Sequence, residues 1–105
     1  MRKPVFVCIL SSALPLAERL AAEIGGRVDL RGRDFDEVGT HLRDLFLARV
    51  PIIGLCSTGI LIRCLAPVLT DKSTEPPVLA VAEDGGTVVP LLGGHRGANA
   101  LARQL

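Results

Sequence analysis

Apolar residues fall into short unbroken runs along this chain, and between the runs they return every three or four positions. "VFVCIL" (Val5 to Leu10) is such a run. A strand that is apolar at successive positions buries both of its faces, as in a sheet covered by helices on both sides. Leu16, Leu20 and Ile24, with Ala17 and Ala21, then share one helix face; Pro15 suits its first turn and Gly25-Gly26 its stop. "RVDL" reads as a short edge strand. Asp34 with Glu37 three residues later reads as a capping box, opening a helix on Val38, Leu42, Leu45 and Phe46. His41 falls on the charged face of that helix and reads as inert.

"PIIGLC" (Pro51 to Cys56) is a second buried strand. Ser57 or Thr58 can cap the helix of Ile60, Leu61, Cys64 and Leu65, which stops near Pro67. A polar loop, "LTDKSTEPP", precedes the buried strand "VLAVA". "EDGG" is a tight turn, and "TVVPLL" returns as an antiparallel strand in which Pro90 points to a sheet edge. Ala98, Leu101, Ala102 and Leu105 form the face of a last helix. The pattern predicts an α/β fold: an open, mostly parallel sheet of about five strands, ordered 2-1-3-4-5, with helices on both faces and the last strand antiparallel. This is a Rossmann-like three-layer arrangement, in one domain over residues 1–105.

Composition narrows the class. Hydrophobic residues make up 49% of the chain, which excludes disorder. Aromatics are 3%, with no Trp or Tyr, so the core is aliphatic and base stacking is disfavoured. A net charge of +1 gives no basic surface for nucleic acid. The three cysteines form no CxxC pair and read as buried reduced thiols, as in a cytoplasmic protein. No apolar run reaches the length of a membrane span. "MRKPVFVCIL" is read as a first strand rather than a leader, because the amphipathic "SSALPLAERL" follows directly. Histidines and cysteines are not at ligand spacing, so no protein-bound metal or cofactor is expected. Neither a G-x-G-x-x-G nor a Walker loop is present.

Two stretches follow the carboxyl ends of strands, where open α/β sheets bind ligands. One is "CSTGILIR". The other is "GGHRGAN", whose glycines let backbone approach a ligand and turn N–H groups toward an anion. Taken singly, each residue has a plain reading. Ser57 and Thr58 cap a helix, and the glycines make a turn. His95, Lys72 and Arg63 are surface groups, Asn99 bonds locally, and Cys56 belongs to its strand rather than acting as a nucleophile.

Together, however, Thr58-Gly59-Ile60, Arg63, Ala66-Pro67, Asp71-Lys72, Leu91-Leu92, Gly94-His95, Ala98-Asn99 and Leu101-Ala102 resemble the N-terminal region of the CbiG family of cobalamin biosynthesis. The resemblance runs from about Ser57 to the end; before that, only the α/β pattern matches. "GHRGAN" is one glycine shorter than the family's usual G-H-x-G-G-A-N, and Glu75-Pro76 stands where the family has Asp-Pro. The resemblance implies a role in vitamin B12 synthesis. These proteins are cobalt-precorrin-5A hydrolases, which open a lactone on the ring-contracted macrocycle and release acetaldehyde. It also implies a longer protein, with a further C-terminal domain of the same family or a methyltransferase domain. Any cobalt would arrive within the corrin-precursor substrate.

A carboxylate-fringed macrocycle calls for cations and backbone N–H groups. The implied catalytic residues are His95 as general base, with Lys72 and Thr58; Thr58, Gly59 and Gly94 are read as donors to one oxyanion. Ser57, Gly59, Arg63, Gly93, Gly94, Arg96, Gly97 and Asn99 are the implied substrate-binding residues. Two other readings stand beside this one: a non-catalytic tetrapyrrole-binding module of a precorrin-3B methyltransferase fusion, and a generic phosphate-binding domain.

Overall fold

The structure, a computed structural model, describes residues 2–69, 74–94 and 97–105. Five strands form one sheet: β1 Val5–Cys8, β2 Arg27–Leu30, β3 Ile52–Leu55, β4 Val78–Val81 and β5 Val88–Leu92. Their order is β2-β1-β3-β4-β5, as the apolar pattern predicts. The first four run parallel, and β5 runs antiparallel to β4.

Register aligns the strand ends. Val5 pairs with Arg27 on one side and Ile52 on the other, and Ile52 pairs with Val78. The four parallel strands therefore start level and define an amino edge. Pro4, Pro51 and Pro77 stand directly before β1, β3 and β4, where a residue without an N–H interrupts no ladder. The other ends, Cys8, Leu30, Leu55 and Val81, define the carboxyl edge. Because Val78 pairs with Leu92 and Val81 with Val88, β5 begins at the carboxyl edge and ends at the amino edge.

Side chains alternate across the sheet and feed two apolar layers. Phe6, Cys8, Ile53, Leu55, Leu79 and Val81 pack under α1 (Leu14–Ile24) and α4 (Ala98–Gln104). Val5, Val7, Ile52, Val78 and Ala80 pack under α2 (Val38–Leu47) and α3 (Thr58–Leu65). Every residue of β1, β3 and β4 is buried, which is why these strands are apolar at both parities. Each buried Val, Leu or Ile contributes roughly 1.5–3 kcal/mol relative to exposure. α3 sits so close to β3 that a Cβ on Gly54 would lie 2.9 Å from a Leu61 methyl.

Two local expectations change. β1 ends at Cys8 rather than Leu10, because the chain turns into a 3-10 helix at Ser11–Ala13 and leaves Leu10 exposed. Asp34 and Glu37 do not form a capping box. Glu37 itself caps α2, its carboxylate accepting the N–H groups of Gly39 and Thr40. Asp34 instead accepts the Leu30 N–H at 2.8 Å and closes the loop after β2. Among the described residues, no helix is long and apolar enough to cross a membrane.

Replacing Gly54 with Ala is expected to destabilise the protein by about 1–3 kcal/mol through overpacking against Leu61. Urea unfolding measures this, and an unchanged midpoint would contradict the close α3–β3 contact.

Candidate functional site

At the carboxyl edge, β3 leads through Cys56 into Ser57, whose Oγ accepts the Ile60 N–H at 3.4 Å and caps α3. β4 leads into a hairpin in which Ala82 N–H donates to the Thr87 carbonyl at 2.9 Å and Gly86 N–H to the Asp84 carboxylate at 2.8 Å. Between these two connections lies a cleft of about 240 Å³, lined by Cys56, Ser57, Thr58, Ala80, Ala82, Glu83, Thr87 and Val89. Arg63 lies back along its own helix: a Cβ on Gly59 would be 3.4 Å from its guanidinium. Ser57, Thr58, Gly59 and Arg63 are thus gathered at this edge. The cleft joins hydroxyl groups to the first turn of a capped helix, a setting suited to a polar ligand. Burial pushes the Cys56 thiol up to about 11, so it is not a ready nucleophile.

The glycine stretch lies at the opposite edge. Gly93 leaves β5 with φ +77°, and a Cβ there would be 2.4 Å from the Pro76 carbonyl oxygen, so the backbone approach requires glycine. The Gly93 carbonyl accepts the Ala98 N–H at 3.2 Å, and Gly97, at φ 98°, precedes α4. Gly94 and Asn99 are exposed. His95, Arg96 and Lys72 lie outside the described residues. A four-residue strand spans about 13 Å, which separates the two groups. Thr58 and Gly59 therefore share no oxyanion with Gly94 inside one copy, contrary to expectation. The physical reason is the antiparallel β5, which returns the chain to the amino edge before the glycines.

The structure also joins residues the sequence pattern left apart. Asp29 is buried in β2, and its carboxylate accepts Arg27 Nε at 2.9 Å and Arg27 Nη2 at 3.2 Å. The His41 ring Nε2 lies 2.7 Å from the same carboxylate, and the ring stacks on Phe35 with centroids 4.2 Å apart. His41 is thus a half-buried partner of Asp29, not an inert surface group. A signal existed: His41 is three residues after Val38 and four before Leu45, at the border of the apolar face. Glu83 and Thr87, in the carboxyl-edge cleft, carried no comparable signal.

Residues 40–105 match the family described as Cobalamin synthesis G N-terminal. The chain is 36% identical, over 93% of its length, to a cobalt-precorrin-5A hydrolase from Salmonella typhimurium, of which it covers 30%. It is 38% identical, over 61% of its length, to a cobalt-precorrin-5A hydrolase from Priestia megaterium, of which it covers 17%. The chain thus spans less than a third of the curated relatives it matches. A crystal structure of a cobalamin biosynthesis protein G homolog from Sulfolobus solfataricus has the same fold. Its TM-score is 0.75 at 19% identity, covering 98% of this chain and 33% of that one.

The two adjacent glycines of the loop separate conformational need from chance. Gly93→Ala is expected to lower stability by about 1–3 kcal/mol, whereas Gly94→Ala, whose Cβ meets nothing within 4 Å, should be near neutral; equal unfolding midpoints would contradict the contact with Pro76. The cysteines give a pH dependence. Burial raises Cys8 and Cys56 from 9.0 to about 11, so the folded state holds these protons more tightly than the unfolded state. That contribution to stability is complete below pH 9.0 and is lost as pH rises through about 11. Alkylation of both thiols, read by mass spectrometry, should be slow near neutral pH and accelerate toward pH 11.

Proposed function

Because the chain belongs to the cobalamin synthesis G N-terminal family, we propose that it is the N-terminal domain of a cobalt-precorrin-5A hydrolase, acting on a corrin precursor. The observation that carries this reading is the 36% identity to the Salmonella typhimurium hydrolase over 93% of the chain. The reaction is hydrolytic opening of the ring-contraction lactone, followed by loss of acetaldehyde. Cobalt belongs to the substrate and needs no ligand from the protein.

In this reading His95 is the general base. It takes a proton from water, the hydroxide adds to the lactone carbonyl, and the ring C–O bond breaks as the tetrahedral oxyanion collapses, the departing alkoxide taking the proton back from the His95 imidazolium. Lys72 and Arg96 supply cations for the macrocycle's carboxylates. Gly93, Gly94 and Gly97 supply backbone close to the ligand, and Asn99 a side-chain amide. Gly94 neighbours His95 in sequence and stands at the amino edge, which supports that edge as the substrate face. Thr58 and Ser57 serve a separate polar cleft at the carboxyl edge, the Thr58 hydroxyl offered there as a hydrogen-bond donor, while Gly59 and Arg63 follow on α3 beside it.

Incubating the protein with cobalt-precorrin-5A and assaying acetaldehyde tests the reading. His95→Ala should lower the rate by roughly 10²–10⁴-fold, and Thr58→Val by much less. Turnover unchanged in His95→Ala would remove the assignment of the base. Spectral binding of the macrocycle without any turnover would leave the domain a binding module.

A further inference from the structure

A second cleft, larger than the first at about 480 Å³, opens on the amino edge beside β1 and β2. We infer that it is a binding site for carboxylate groups carried on short hydrocarbon arms. Its rim is cationic and its floor apolar: Arg2, Lys3 and Arg27 stand over Pro4, Val5 and Val50.

Arg2 and Arg27 are held by hydrogen bonds, and Lys3 lies beside them. The Arg2 guanidinium donates to the Ala48 carbonyl. The Lys3 side chain lies across Gly25, where a Cβ would be 2.4 Å from Nζ; the glycine makes the room it occupies. Arg27 is gripped by the buried Asp29 through Nε and Nη2. Among the described residues, neither Arg2 nor Lys3 has a carboxylate partner, so the cleft holds positive charge in excess.

The chemistry favours carboxylate over phosphate. Phosphate sites in α/β folds draw on free backbone N–H groups. Here those of Val5, Arg27 and Val50 already donate to Pro51, Pro4 and Leu45 carbonyls, and Pro4 has none. The side-chain cations over an aliphatic floor fit a carboxyalkyl arm: methylenes on Pro4 and Val50, carboxylate at the rim. Three strand spacings, about 14 Å, separate β1 from β5 along the same edge. A tetrapyrrole with its carboxylate arms can reach from this cleft to Gly93 and Gly94. The identity of the arm's bearer rests on the reading above; the cleft's preference for carboxylates does not.

The test titrates the 105-residue chain at low ionic strength with two probes, uroporphyrin as a tetrapyrrole octacarboxylate and citrate as a free tricarboxylate. The variants are Arg2→Gln with Lys3→Gln, and Arg103→Gln as an exposed control on α4. Arg27 is left intact because its loss would unpair Asp29. The double variant should bind uroporphyrin at least about fivefold more weakly, with an unchanged melting temperature, and the control should bind as the parent does. Uroporphyrin bound equally by all three proteins overturns the cleft while leaving the corrin reading standing. Cleft-dependent citrate binding without uroporphyrin binding supports the cleft and counts against a macrocycle as its ligand. Binding of neither probe by the parent overturns the inference.

Discussion

The hairpin Ala82–Thr87 reverses the chain between β4 and β5, and every later residue inherits that reversal. In a wholly parallel sheet the segment after the last strand would emerge at the carboxyl edge, beside the mouth of α3. Here the ladder pairs Val81 with Val88 and Val78 with Leu92, so Gly93 emerges next to Pro76 and Pro77. β4 is buried at every position and pairs with β3 on one side and β5 on the other, with one irregularity in the β5 register between Val78 and Leu79. One hydrogen-bonded ladder thus decides that the two motif regions face opposite ways.

The layers around the sheet are built for close approach. Helices on both faces demand apolar side chains at every position of the central strands, and nearly aromatic-free composition makes those side chains small and branched. Gly54 lets α3 settle against β3, Gly93 lets the chain pass the Pro76 carbonyl, and Gly25 lets Lys3 fold across the end of α1. In each case the missing side chain is a steric requirement that the fold converts into a position for something else.

Much of this was legible from residues alone. Unbroken runs such as "VLAVA" and alternating helix faces suffice for the strand order, and Pro90 marks β5 as an edge. What escaped depends on distances between segments far apart in sequence. Glu37 rather than Asp34 caps α2 because Asp34 is drawn to the Leu30 N–H, a competition between two acceptors that spacing alone does not resolve. Asp29 and His41 meet across twelve residues, and only the packing of α2 on the sheet joins them. The motif match from Thr58 to Ala102 and the antiparallel β5 were both legible, and together they already imply the split between two edges.

Electrostatics then distinguishes the edges. The amino edge offers a cationic cleft with aliphatic walls, whereas the carboxyl-edge cleft is lined by Glu83, hydroxyls and the buried Cys56. A polycarboxylate is attracted to the first and meets a carboxylate at the second. The most direct measurement is a backbone amide NMR titration of the isotope-labelled chain with uroporphyrin. The account predicts that the largest shifts fall at Lys3, Gly26, Arg27, Gly93 and Gly94. Shifts concentrated at Thr58, Gly59, Glu83 and Thr87, with the amino edge unmoved, would contradict it.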